Sequence, residues 1–217
     1  LETPDAVLFD TDNTLYEYEP ANKAAIEAAC KKAENLICIN KEEFIHYYDK
    51  ARKEIKKEIS GTASSHSRLL YFQRMIELLG LRAKLLVALD LEQTFWRTFL
   101  ANAPLFPRVV ETLSLLRDNQ IPIGIITDLT SHIQLRKLTY FGLEETFDAV
   151  VTSEEVGADK PDKRNFELLY SKLKINPKSK IWMIGDDAVS DIYGGKENNA
   201  VTFQKIHKGV SLGEGIY

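Results

Sequence analysis

Short apolar runs that end in polar residues constrain the fold of this chain more than any other feature. The run at residues 6–9 reads Ala-Val-Leu-Phe, and similar runs recur at 121–127, 147–151, 181–184 and 200–203. Runs of this length without polar alternation are typical of strands buried on both faces of a parallel sheet. Between the later runs, apolar residues recur at helical spacing over 108–119, 131–141, 163–174 and 189–198. This alternation predicts a doubly wound, mainly parallel α/β sheet with right-handed crossovers.

The first two strand candidates are separated by about 110 residues, far more than a crossover connection needs. In that interval apolar residues recur at helical spacing over 21–36, 41–60, 67–79 and 84–102, and no stretch reads as a strand. We therefore predict an α/β core formed by residues 1–16 and 103–217, and an inserted four-helix domain formed by residues 17–102. The aromatic side chains predicted to form the interior of this bundle are Tyr71, Phe72, Phe95, Trp96 and Phe99.

Composition excludes several classes of partner. The 217 residues carry a formal net charge of −4, so no basic excess is present to attract nucleic acid. No apolar run approaches the roughly 20 residues of a membrane-spanning helix, and the first residues do not resemble a signal peptide. Cys30 and Cys38 lack metal-ligand spacing, which predicts reduced thiols. We expect a cytoplasmic protein without nucleic acid, membrane or zinc, either monomeric or homodimeric.

Polar motifs follow four of the strand candidates. The run at 6–9 leads into Asp10 and Asp12, the second run ends in Thr127-Asp128, and Lys160 follows the third. The fourth run ends in Gly-Asp-Asp at 185–187, with a further acidic residue at 191. Each motif alone is common in helix caps and turns. Because parallel strands end at one edge of the sheet, where ligands bind in this fold class, the motifs together predict one site.

The chemistry of such a site follows from its residue types. Carboxylates gathered at one edge repel one another unless a cation lies among them, and an all-oxygen donor set suits Mg²⁺. A carboxylate beside Mg²⁺ can attack phosphorus and form an aspartyl-phosphate. A second carboxylate can transfer the proton of the leaving group and of water. Threonine and lysine donors can hold the phosphoryl oxygens.

With these four motifs in this order, the sequence resembles the haloacid dehalogenase superfamily of phosphohydrolases along its whole length. The resemblance implies a Rossmann-like core and a helical cap of the C1 type, inserted between the first and second motifs. It further implies that Asp10 is the nucleophile and Asp12 the general acid and base. Thr127 would hold a phosphoryl oxygen, and Lys160 would balance the charge of Asp10 and of the phosphoryl group.

The resemblance also implies a Mg²⁺ site. The ion would be held by the Asp10 carboxylate, the main-chain carbonyl of Asp12, and Asp186. Asp191 would lie behind these ligands, and Asp187, at a variable position of the family pattern, is a further acidic residue expected there rather than on the ion.

Two residues beyond the motif set are expected to contact the substrate. Asp128 stands where the family frequently has Asn. Because its carboxylate would repel phosphate, we expect only its backbone N–H to face the site. In the inserted domain, Arg68 beside the Gly61–Ser65 loop is the predicted substrate contact. The segment 204–208 after the last strand is predicted to be a surface segment, the alternative being that it reaches the edge of the site.

The residues also discriminate between reactions within the superfamily. Haloacid dehalogenases lack the second Asp of the first motif, so Asp12 indicates phosphoryl chemistry. We predict a Mg²⁺-dependent phosphatase that acts through an aspartyl-phosphate on a small phosphorylated metabolite, a sugar phosphate or a nucleoside monophosphate. A helical lid leaves little room for a phosphoprotein. The alternatives are a phosphomutase, which shares all four motifs, and a catalytically silent binding or regulatory protein.

Overall fold

The computed structural model describes residues 2–176 and 178–213, and the chain forms two compact units. One unit combines Leu1–Glu17 with Leu105–Tyr217, and the other is the continuous segment Tyr18–Pro104. The outermost positions of the predicted core, residue 1 and residues 214–217, lie outside the described residues. Among the described helices, none is both long enough and apolar enough to cross a membrane.

The helical unit contains four helices, α1 (Tyr18–Ile37), α2 (Lys41–Glu58), α3 (Arg68–Leu78) and α4 (Leu85–Ala101), with a 3₁₀ turn at Ala63–His66. Helix α2 begins at a capping box, in which Asn40 Oδ1 accepts the Glu43 N–H at 2.9 Å. Along α1 the buried positions are mostly alanines, which allow close packing against α4. The interior predicted from the sequence is confirmed, since all five aromatic residues named above are buried.

The other unit is built on a five-stranded sheet. Its strands are β1 (Ala6–Phe9), β2 (Ile123–Thr127), β3 (Ala149–Thr152), β4 (Ile181–Gly185) and β5 (Ala200–Gln204). The order is β3-β2-β1-β4-β5 and every neighbouring pair is parallel. The predicted α/β fold is therefore confirmed, with each strand inside or within a residue of its apolar run. Every residue of β1 and β2 is buried, as expected for central strands covered on both faces.

The helices of this unit are α5 (Val109–Asp118), α6 (Ser131–Tyr140), α7 (Ser153–Val156), α8 (Lys163–Lys172) and α9 (Gly194–Glu197). Helix α8 packs so closely on β2 that a Cβ at Gly124 would lie 3.0 Å from Leu169. The prediction of one α-helix over 189–198 is corrected, because residues Ala188–Tyr193 form a π-helical turn before α9. The N–H groups of Asp191 and Ile192 both bond to the Asp187 carbonyl, which widens the turn.

Candidate functional site

The sheet order gathers the predicted motifs at one edge. Strand β1 lies between β2 and β4, so Asp10 after β1 stands between Thr127 at the end of β2 and Asp186 after β4. The chain places β2 and β3 on one side of β1 and then crosses to place β4 and β5 on the other. A reversal of strand order of this kind creates a crevice at the carboxyl ends of the strands, where ligands bind in open α/β sheets.

Lys160 is the central cation of this edge. Its Nζ donates to Asp10 Oδ1 at 2.7 Å, to Asp191 Oδ1 at 2.6 Å and to the carbonyl of Ile126 at 3.2 Å. Lys160, Asp10 and Asp191 are all buried. Buried charges remain ionised only when they are paired and hydrogen-bonded, and this arrangement supplies both conditions.

A cluster of three carboxylates lies at this edge, and two of them, Asp10 and Asp191, are the partners of Lys160. One oxygen from each of Asp10, Asp186 and Asp191 lies within 4.8 Å of the others. The donors are all hard oxygen atoms, which is the ligand chemistry that Mg²⁺ prefers. The described residues therefore fit a hard divalent cation at this position.

Burial governs the protonation of the cluster. Burial raises the pKa of Asp10 well above its usual value, Lys160 opposes that shift, and the charges of Asp191 and Asp12 add to it. The pKa of Asp191 is likewise raised by burial. Burial lowers the pKa of Lys160, but the charges of Asp10, Asp191 and Asp128 together raise it by more. The pKa of Lys160 therefore lies well above its usual range. A cation among the carboxylates would favour their ionised forms.

The π-helical turn and a glycine set the position of Asp191. The Asp191 carboxylate accepts the N–H of Asp187 at 3.0 Å and packs directly on Gly185. A Cβ at residue 185 would lie 2.3 Å from Asp191 Oδ2, closer than any contact between unbonded atoms. Only glycine at the end of β4 leaves room for this carboxylate.

Asp12 is held by donors from two directions. Lys137 Nζ on α6 donates to Asp12 Oδ1 at 2.8 Å, and the hydroxyl groups of Tyr16 and Thr11 donate to the same oxygen. The side chains of Lys137 and Tyr16 are fully buried, whereas that of Asp12 is partly exposed. The second carboxylate of the first motif is therefore held by a buried ammonium group on α6.

Thr127 lies within a hydrogen-bond network. Its hydroxyl shares a 2.8 Å hydrogen bond with the hydroxyl of Thr11 and accepts from Gln134 Nε2, also at 2.8 Å. The structure also defines the orientation of Asp128: its Oδ1 accepts the backbone N–H of Lys160 at 2.9 Å. Burial raises the pKa of Asp128, and Lys160 opposes the shift. The Asp128 carboxylate therefore ties the loop that carries Lys160 to the end of β2.

Asp186 and Asp187 are adjacent but differ in their contacts. Asp186 Oδ2 lies 2.9 Å from His207 Nε2 and accepts from Asn13 Nδ2 at 3.2 Å. Asp187 Oδ1 instead accepts the N–H groups of residues 189 and 190, which makes Asp187 the N-cap of the π-helical turn. For segment 204–208, the tail after β5, the structure shows the alternative prediction, because His207 reaches Asp186 at the edge of the site.

Arg68 belongs to the helical unit. Its guanidinium lies 5.3–5.6 Å from the ring centres of Tyr71, Phe95 and Trp96. It donates to the carbonyl of His66 at 2.6 Å and to the hydroxyl of Tyr18. Within its own unit, the side chain is thus held against an aromatic cluster, and its role as a substrate contact stays a prediction.

Sequence reasoning did not single out Lys137, Gln134 or His207. A signal for the first two was present, because Gln134 and Lys137 stand beside Ile133 and Leu138 on the buried face of α6. A lysine on an apolar stripe is rarely buried unless a charged partner is close. His207 lies in segment 204–208, for which contact with the edge of the site was the alternative prediction, but only the tertiary structure brings its side chain to Asp186.

Comparisons with known proteins show which family the chain resembles. A family model described as haloacid dehalogenase-like hydrolase matches residues 4–199. The chain is 40% identical over 202 residues to the ribulose-1,5-bisphosphate 5-phosphatase of Halopiger xanaduensis, covering 93% of this chain and 83% of that protein. It is 28% identical to the glyceraldehyde 3-phosphate phosphatase of Methanopyrus kandleri, covering 91% of this chain and 82% of the other. A crystal structure of a HAD phosphatase from Thermococcus onnurineus superimposes with a TM-score of 0.71 at 26% identity, covering 97% of this chain and 90% of that one.

Proposed function

The chain belongs to the haloacid dehalogenase-like hydrolases and is a phosphoric monoester hydrolase, and from that premise we propose that it is a Mg²⁺-dependent phosphatase of small phosphorylated sugars. The observation that carries the proposal is the cluster of Asp10, Asp186 and Asp191, in which Asp10 and Asp191 also accept from the Lys160 ammonium. The relative named for ribulose 1,5-bisphosphate, at 40% identity, supports a sugar phosphate over a nucleoside monophosphate, since a relative named as a pyrimidine 5'-nucleotidase is only 28% identical.

The proposed reaction has two displacements at phosphorus. In the first, the Asp10 carboxylate attacks, the bond from phosphorus to the leaving oxygen breaks, and Asp12 gives that oxygen its proton. The product alcohol leaves and an aspartyl-phosphate remains on Asp10. In the second, Asp12 takes a proton from water, whose oxygen attacks phosphorus and releases phosphate from Asp10. Asp12 ends each cycle in the protonation state in which it began.

The remaining residues hold charge in place. Lys160 keeps its contact with Asp10 Oδ1 and offers positive charge to the phosphoryl oxygens, and the Thr127 hydroxyl would donate to one of them. Mg²⁺ would be held by Asp10, Asp186 and the main-chain carbonyl of Asp12, and when bound it supplies charge neutralisation between carboxylates and phosphate. Asp191 would hold Lys160, and Asp187 would hold the π-helical turn that carries Asp191.

We further propose that residues 17–102 act as a cap that contributes substrate contacts, among them Arg68. Small metabolites fit a site that a helical lid closes and from which it excludes water. The proposal places the reaction in the cytoplasm, where small sugar phosphates occur as metabolites.

A panel of phosphate esters tests the function. Purified protein is incubated with sugar phosphates, nucleoside monophosphates and aryl phosphates, with MgCl₂ or with EDTA, and released phosphate is measured. We expect release from a sugar phosphate with MgCl₂, none with EDTA, and a fall of at least about 10⁴-fold in Asp10→Asn. The matched control is Asp118→Asn, an exposed carboxylate at the end of α5.

The outcomes separate the alternatives. Retained turnover in Asp10→Asn would refute the nucleophile assignment. An isomeric product that requires a bisphosphate activator would identify a phosphomutase. No phosphate release from any ester by the wild-type protein would favour a binding or regulatory protein.

A further inference from the structure

Lys137 is a buried lysine outside the four motifs. It lies on α6 with its residue 1% exposed, and its Nζ contacts Asp12 Oδ1 at 2.8 Å. An ammonium group removed from water is costly unless it is paired, and the contact with Asp12 offsets part of that cost for Lys137.

The pair is unequal in its exposure to solvent. The side chain of Asp12 is 36% exposed, so water can reach the carboxyl group, whereas the Lys137 side chain is 1% exposed. The carboxylate therefore does not need a buried cation for its own solvation. The contact with Lys137 instead fixes the Asp12 carboxyl group in position beside α6.

Further donors act on the same oxygen. The hydroxyl of Tyr16 and that of Thr11, the latter at 3.3 Å, also donate to Asp12 Oδ1, and Lys137 Nζ lies 5.7 Å from the centre of the Tyr16 ring. A carboxyl group held at one oxygen from several directions loses the rotational freedom of a partly exposed aspartate. Lys160 meanwhile serves Asp10 and Asp191, so each of the two carboxylates of the first motif has its own lysine.

We propose that Lys137 is a positioning residue that orients the Asp12 carboxyl group for proton transfer to the leaving oxygen. The proposal rests on the proposed phosphatase function, in which Asp12 is the general acid. In this role Lys137 acts through its contact with Asp12. A purely structural role, in which the ion pair joins α6 to the loop after β1, is the competing explanation that the experiment must separate.

Leaving-group dependence separates the two explanations. Phenyl phosphate, 4-nitrophenyl phosphate and 2,4-dinitrophenyl phosphate all carry phosphate on a phenyl ring. Their leaving oxygens decrease in basicity along the series, and the last needs little protonation. The quantity measured is kcat/KM with saturating MgCl₂, because it reports the steps up to the departure of the phenol. A loss of folded protein lowers all three values equally and leaves their ratio unchanged.

The expected result for Lys137→Met is selective. We expect kcat/KM for phenyl phosphate to fall by about 10- to 100-fold, a part of the roughly 10²- to 10⁴-fold that a general acid contributes. The value for 2,4-dinitrophenyl phosphate should stay close to that of the wild type. Lys137→Gln, a shorter neutral side chain, is the second variant if Lys137→Met does not fold. Arg136→Met is the matched control, because it removes a positive charge from an exposed position of the same helix.

Each outcome decides between the explanations. A proportional loss with all three esters, or no loss with any, would overturn the positioning role. If the wild-type enzyme releases phosphate neither from these three esters nor from any sugar phosphate, the proposed phosphatase function fails, and this inference fails with it. A wild-type enzyme that hydrolyses all three esters, with variants that keep the wild-type ratio, would instead leave the function standing and refute Lys137 alone.

Discussion

Asp191 occupies the space that any side chain at residue 185 would need, since a Cβ on Gly185 would lie 2.3 Å from Asp191 Oδ2. The end of β4 and the π-helical turn are therefore fitted to each other through this one contact. Lys160 Nζ donates to Asp191 Oδ1 at 2.6 Å. A side chain at residue 185 that displaced Asp191 would therefore also displace Lys160.

Gly185→Ala should displace the Asp191 carboxylate and with it Lys160. We expect a loss of about 1–3 kcal/mol in the free energy of unfolding from overpacking, and a fall in kcat that persists at temperatures where the variant is fully folded. Gly124→Ala is the control for overpacking, since its Cβ would lie 3.0 Å from side-chain ends of Leu169 and Leu173, whereas a Cβ at Gly185 would meet Asp191. Full activity in folded Gly185→Ala would show that the position of Asp191 does not matter.

Metal binding should appear as thermal stabilisation. A ligand that binds only the folded state adds about 2.7 kcal/mol at a concentration 100 times its Kd, so MgCl₂ should raise the Tm of the wild-type protein relative to EDTA. In Asp186→Asn the response should be lost. Asp187→Asn should retain it, because that carboxylate caps the π-helical turn through the N–H groups of residues 189 and 190. An equal response in both variants would contradict the assignment of Asp186.

Removing Lys160 should make the free energy of unfolding decrease as pH rises. Burial raises the pKa values of Asp10 and Asp191, and Lys160 opposes both shifts, so Lys160→Met should raise them further. A carboxyl group whose pKa is higher in the folded state than in the unfolded state destabilises the fold as pH rises above the unfolded value of about 3.9.

We therefore expect metal-free Lys160→Met to be more stable at pH 5 than at pH 7, by denaturant unfolding in EDTA. The loss relative to wild type near neutral pH should be about 3–5 kcal/mol, the usual cost of removing one partner of a buried ion pair. Lys172→Met serves as the control, since Lys172 pairs with the partly exposed Glu155 at 2.7 Å. A flat pH profile in Lys160→Met would mean that Asp10 and Asp191 are not the buried charges that Lys160 compensates.

Arg68→Met tests the proposed substrate contact against simple packing. If Arg68 binds substrate, KM for the sugar phosphate should rise by about tenfold or more with kcat largely unchanged. If it only packs on Tyr71, Phe95 and Trp96, the Tm should fall and KM should not change. Arg74→Met on the same helix removes a guanidinium paired with Glu54 and Glu77, and it should leave KM at the wild-type value.

The strands of the core could be predicted from the sequence because a buried strand is marked by a short run of consecutive apolar residues. Every position of β1 is apolar and buried. Every position of β2 is buried too, and its residues other than Gly124 and Thr127 have apolar side chains. The edge at which the motifs meet then follows from parallel pairing, without knowledge of any side-chain position.

The contacts of the site were less accessible to sequence reasoning. The π-helical turn depends on a second hydrogen bond to the Asp187 carbonyl, which no periodicity reveals. The pairing of Lys137 with Asp12 joins residues 125 positions apart, and that of His207 with Asp186 depends on the course of the tail. The orientation of Asp128 was open for the same reason, because its acceptor role needs the loop that carries Lys160.

The sheet order has a consequence for biosynthesis. Strand β1 is the first to leave the ribosome, yet it occupies the middle of the order β3-β2-β1-β4-β5, and neither of its neighbours exists until the chain has passed Ile123. Pairings between distant segments close late and slowly, whereas the contacts of Tyr18–Pro104 lie within one continuous segment. The nascent chain must therefore keep its most apolar strand from aggregating until β2 and then β4 arrive, and a ribosome-stalled product that ends before residue 181 would lack Asp186 and Asp191 altogether.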